Sequence, residues 1–133
     1  MSELGRNRHQ ARERALEISY EASIKGRPAT VIVVELATRP DDYVLELLNS
    51  AERNESRANE LISEFSIDWP LDRIALIDRL IMTLAIGEML MESPPPLAVI
   101  LDEAVEMAKV YSTDGSSSFV NGVLSSVADR VLG

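Results

Sequence analysis

Apolar positions recur at helical spacing along most of the chain. Ala11, Ala15, Ile18 and Ala22 fall at i, i+4, i+7 and i+11, which predicts a first helix from about Leu4 to Lys25. Its stripe is narrow and made mostly of small side chains, so a neighbouring helix can approach closely. Gly26, Arg27 and Pro28 break it. The β-branched run TVIVVELA, Thr30 to Ala37, favours a strand by propensity. No second strand-like run exists to pair with it, so a short helix is expected. After Pro40, with Asp41 or Asp42 as cap, Val44, Leu47 and Leu48 mark the inward face of a helix from Tyr43 to about Ala51. Ala58, Leu61, Ile62 and Phe65 do the same for Glu55 to Ser66, which Trp69 and Pro70 end.

The run Ile74 to Met91 is apolar on nearly every side of a helical wheel. Asp78 and Arg79 near its middle argue against a membrane span, because charge at mid-bilayer is costly. It is therefore expected to be a central helix wrapped by the others, with Asp72 as its N-terminal cap and with Asp78, Arg79 and Glu88 surfacing or pairing between neighbours. The stretch ESPPPLA stops it. A helix from Leu97 to Tyr111 follows, with Leu97, Ile100, Leu101, Ala104, Ala108 and Tyr111 inward. A loop at 112–117 leads into the last helix, from about Ser117 to Leu132, whose core stripe is Val120, Val123, Leu124, Val127 and Val131. The pattern predicts an all-α protein of about seven packed helices.

Length and composition narrow this further. The 133 residues suit one domain with a real core. The absence of cysteine excludes disulfides, thiolate catalysis and cysteine-held metal, and a cytoplasmic protein is expected. The polar N-terminus has no apolar signal core. Net charge is −9, yet residues 1–27 carry +2 and the remainder −11. An acidic body repels duplex DNA, whereas a small basic patch can hold a short single strand.

Catalytic constellations are missing. His9 is the only histidine and stands among arginines, so neither a His-based triad nor a multi-histidine metal site can be assembled. No glycine-rich phosphate loop occurs. A non-enzyme without cofactor or metal is expected. Phe119 is the local anomaly: it lies roughly 100° off the stripe of the last helix, in its first turn. It is either tucked under the preceding loop or held at the surface, where it can stack on an unpaired base. Asn121 points away from the stripe, and Gly122 is expected to permit a close helix crossing.

Five segments in order carry a resemblance: ARERALEISY, WPLDR, DRLIMTLAIGEML, PLAVILDEAVEMAKVYS and SFVNGVL. Together they resemble the NusB family of bacterial transcription antitermination factors, firmly from Asp72 to Val131 and weakly from Arg27 to Glu64. The resemblance implies a single domain over 1–133 with two small helical subdomains, about 1–68 and 69–133. It implies binding of boxA, a short single-stranded element of ribosomal RNA leaders, together with the ribosomal protein NusE, and assembly on RNA polymerase. Family members occur as monomers and as homodimers, and the sequence does not choose. The implied RNA-binding residues are Arg8 and Arg12, with Arg6 ahead of them, for phosphates. Tyr20 would stack on or bond to a nucleotide, Phe119 would stack, Glu88 would read a base edge, and Asn121 belongs to the FVNG segment.

The chain departs from the family pattern at His9, Gln10, Gly87, Gly115 and Ser118. Lost basic groups weaken phosphate binding. A helical protein-interaction or dimerisation module with reduced or lost RNA binding is the alternative, and a detached accessory domain of an RNA methyltransferase is a third reading.

Overall fold

The computed structural model describes residues 2–67 and 69–133. Among these residues there are seven α-helices and one 3-10 turn, and no strand. The helices are α1 (Glu3–Lys25), α2 (Ala29–Glu35), α3 (Asp42–Arg53), α4 (Glu55–Phe65), α5 (Leu76–Met89), α6 (Leu97–Tyr111) and α7 (Ser116–Leu132). No helix among the described residues is long and apolar enough to cross a membrane. The all-α expectation holds, including the helical state of the valine-rich segment at α2.

Local chemistry sets the ends of the helices. The Ser2 hydroxyl accepts from the Gly5 N–H at the start of α1. At its end Gly26 adopts φ 65°, so the chain turns without a Cβ clash while the Arg27 N–H closes on the Ala22 carbonyl. Proline precedes α2 and α6, where its missing N–H costs nothing. Neither expected aspartate cap forms. Asp41 precedes α3 without a side-chain cap bond, and the Asp42 carboxylate is taken by Arg39. Asp72 lies in the 3-10 turn Leu71–Arg73, and the backbone reaches α5 only after Ala75. The central helix is thus shorter than its apolar run.

Helix α5 packs against α1, α3, α4, α6 and α7, and its buried residues include Ile81, Met82, Leu84, Ala85, Ile86 and Met89. Helices α1, α2 and α3 pack on one another, while α4 packs on α5 and α7 as well as α3, so contacts cross residue 68. Asp78, in the first turn of α5, is buried and accepts from the hydroxyls of Ser112 (2.6 Å) and Ser116 (2.9 Å) rather than pairing with a cation. Those bonds pin the α6–α7 loop, where Gly115 takes φ 87°.

The close crossing expected at Gly122 occurs at Gly87 instead. A Cβ on Gly122 would meet nothing within 4 Å, so this residue lies at the surface and not at a helix crossing. Gly87 is where helices meet: a Cβ there would sit 2.9 Å from both the Cα and the N of Ala51 in α3. Ser50 donates to the Gly87 carbonyl at 2.6 Å in the same crossing. The glycine is a packing requirement of the α3–α5 contact, since no side chain fits. Tyr111, expected inside, is 42% exposed, and its hydroxyl donates to Glu13 of α1. Met107 takes the buried place on α6 instead.

Candidate nucleic-acid interface

Four helices bring a polar cluster together near the N-terminal half of α1. Arg12 points inward from the edge of its alanine stripe and is only 4% exposed. Its Nη2 lies 2.6 Å and its Nε 2.9 Å from the two oxygens of Glu88, which is 2% exposed on α5. This two-pronged pairing fits the flat guanidinium fork to the carboxylate. A further Nη1 contact reaches Glu103 of α6 at 3.3 Å. Tyr43, in the first turn of α3, donates its hydroxyl to Glu88 Oε2 at 2.5 Å. Every buried side-chain polar atom among the described residues has a partner, as a buried ion pair requires if its desolvation is to be offset.

The cluster continues outward. His9 lies between two carboxylates, Nδ1 at 2.6 Å from Glu103 and Nε2 at 3.3 Å from Glu13. The Arg8 guanidinium lies over the Tyr43 ring, 4.7 Å from its centre, and that of Arg12 lies 5.9 Å from it. The hydrogen bond to Glu103 raises the His9 pKa above its ordinary value, and the charges of Glu103 and Glu13 add to this against burial and Arg12. Burial first, then the bond to Glu88, pushes the Tyr43 phenol well up, so it stays protonated as a donor. Burial would lower the Arg12 guanidinium, but the bond to and charge of Glu88 outweigh it and the net shift is upward.

Enclosed space at the cluster is small. A cavity of about 10 Å³ touches Arg12, Glu88, Ile100 and Met107, room for one water at most. Among the described residues no group of three or more His, Asp or Glu side chains is placed to hold a metal. The arrangement can do two things chemically. It locks α1 against α3, α5 and α6 through charge, and it leaves Arg8 partly open to solvent on a molecule of net charge −9.

The residues singled out from the sequence separate into groups. Arg12 and Glu88 are brought together, but facing inward. Arg6 is exposed near the start of α1, and Tyr20 is 43% exposed on the same helix. Phe119 is half-buried and packs against the core from α7, whereas Asn121 is exposed. Helix α7 packs on α4, α5 and α6, and the hydrogen bonds of the arginine cluster do not extend to Phe119 or Asn121. Sequence reasoning missed Tyr43, Glu103 and the bridging place of His9. Glu103 is one of 22 acidic residues, and nothing in its local sequence sets it apart. The one available signal for Tyr43 was an aromatic beside, not on, the Val44–Leu47–Leu48 stripe.

Residues 9–129 match the family model described as the NusB family. The chain is 37% identical over 128 residues to the transcription antitermination protein NusB of Thermobifida fusca, covering 93% of this chain and 90% of that protein. It is 38% identical to the protein of that name from Saccharopolyspora erythraea, covering 91% and 86%. Among solved structures, NusB of T. maritima superposes with a TM-score of 0.81 at 29% identity, covering 92% of this chain and 91% of that one. A chain in the crystal structure of antitermination factors NusB and NusE in complex with dsRNA gives a TM-score of 0.79 at 23% identity, covering 94% and 98%. At that identity the likeness shows the fold alone.

Proposed function

The chain belongs to the NusB family, a family of transcription antitermination proteins and not of enzymes, and we propose that it recognises boxA single-stranded RNA together with NusE. In this role it helps assemble the antitermination complex on RNA polymerase during ribosomal RNA transcription. The observation that carries the reading is the outward placement of Arg8 on a rigid four-helix cluster, within an N-terminal segment of +2 on a chain of net −9. Arg6, Tyr20 and Asn121, all exposed, and Phe119 at the edge of the core supply the remaining contacts. Arg12 and Glu88 act as positioning residues: their mutual pairing fixes the helix that carries the contacts. An acidic body also suits a basic ribosomal partner such as NusE.

Few cations face the RNA, so binding by this chain alone is weak, with a log–log salt slope of only about −1 to −2 for some two phosphate contacts. NusE supplies the rest. The test is fluorescence anisotropy with labelled boxA RNA and a scrambled control, with and without NusE, at two salt concentrations. The expected outcome is a preference for boxA that sharpens with NusE. No preference in either condition, with NusE still bound, would replace this reading with that of a protein-interaction module. The exposed apolar side chains of Ile24 and Val34, on α1 and α2, favour that second reading.

A further inference from the structure

Arg8 differs from its neighbours on α1 in what it touches. Arg12, Arg14 and Lys25 each have a carboxylate partner. The Arg8 guanidinium has the Tyr43 ring instead and, among the described residues, meets no carboxylate. That ring cannot swing away. Its hydroxyl is bound to buried Glu88, Glu88 is gripped by Arg12, and Arg12 itself borders the ring. A planar guanidinium seated on a fixed aromatic face is held by cation–π attraction. Arg8 stays partly open to solvent in that seat.

From this geometry we propose that Arg8, seated on Tyr43, is a stacking platform for one unpaired nucleobase rather than a counterion for a phosphate. The inference rests on the RNA-binding reading above and goes beyond it by giving the residue a different chemistry. Unpaired RNA bases stack on guanidinium planes as they do on aromatic rings, because both offer a flat, weakly hydrated face. Net charge supports the same choice. Beyond residue 27 the chain carries −11, so long-range attraction for phosphate is poor and affinity must come from contacts made at short range. Tyr43 is then a positioning residue: it touches Arg8 and Glu88, and it fixes where the platform lies.

Lysine separates the two chemistries, since it keeps the charge and loses the plane. Binding of labelled boxA RNA in the presence of NusE is measured by anisotropy across a salt series for the unmodified protein, Arg8→Lys and Arg8→Ala. Stacking predicts that both variants lose about 5- to 150-fold in affinity with the salt slope unchanged. An abasic scan of the RNA is the second readout: at one nucleotide the abasic loss and the Arg8→Ala loss are not additive, because both remove the same contact. Tyr43→Phe keeps the ring and should lose less than Tyr43→Leu, with thermal melts run on both. If Tyr43→Leu does not fold, the surface variants at Arg8 carry the test. Recovery of affinity by Arg8→Lys, or a slope shallower by about 0.7 in Arg8→Ala, would make Arg8 a phosphate contact and overturn the proposal. Absence of binding by the unmodified protein would remove the RNA reading and this inference together.

Discussion

Removing the Glu88 carboxylate is the sharpest perturbation of the cluster. In Glu88→Ala the Arg12 guanidinium, 4% exposed, keeps only the 3.3 Å contact to Glu103, and the Tyr43 hydroxyl loses its acceptor. Breaking a buried ion pair from one side costs about 3–5 kcal/mol, because the surviving charge stays out of water without its partner. For a chain of this size that corresponds to a fall in Tm on the order of 10–20 °C. Arg12→Leu should cost a similar amount, since it strands Glu88 instead. The cycle is closed with leucine at both positions: the double variant Arg12→Leu, Glu88→Leu removes both charges and should cost clearly less than the sum of the singles Arg12→Leu and Glu88→Leu, giving a coupling of about 2–3 kcal/mol. Urea unfolding of the four proteins, with m-values compared to confirm a common denatured state, measures the cycle. Additive singles, or a Glu88→Ala loss below about 1 kcal/mol, would refute the claim that this pair locks the helices. Glu88→Gln adds a second discrimination. An unshifted melt with altered boxA preference would mean that Glu88 reads a base directly instead of positioning Arg12.

The two glycines should respond in opposite directions. Gly87→Ala places a methyl against the α3 backbone, which cannot rotate aside, so a net loss of about 1–2 kcal/mol is expected even after the gain in helix propensity. Gly122→Ala enters open space in a helix and should add up to about 1 kcal/mol; thermal melts of the pair decide, and a stabilised Gly87→Ala would contradict the crossing. The pH dependence follows from His9. Its folded pKa is raised above the ordinary 6.5, so the stability it contributes is complete below about 6.5 and fades as pH rises through the higher folded value. Melts between pH 6 and 8.5 should therefore fall with pH, and His9→Gln should flatten the profile; an unchanged profile in that variant would assign the dependence to another group.

Sequence by itself determined the helical class, the helix count and nearly every core stripe, because amphipathic spacing is a local property that survives without knowledge of neighbours. The α3 stripe of Val44, Leu47 and Leu48 and the α7 stripe through Val120, Val123, Leu124 and Val127 are buried as their spacing requires. Even α2 was legible, by the argument that a lone strand has nothing to pair with. Family membership was legible too, through motif order along the chain.

Tertiary structure decided what the polar residues do. Arg8 and Arg12 are one turn apart and alike in sequence, yet one is seated on a ring at the surface and the other is clasped by Glu88, 76 positions away. Nothing local distinguishes them, since the difference is made by which side chains α3, α5 and α6 bring to that edge of α1. The same holds for glycine. A helix interior carries no sign of whether a missing Cβ is needed, so the sequence marks Gly87 only as a departure from the family pattern and places the crossing at Gly122, whereas the distance to Ala51 places it at Gly87. Periodicity tells which face is buried, and only the assembled helices tell which charges that burial pairs.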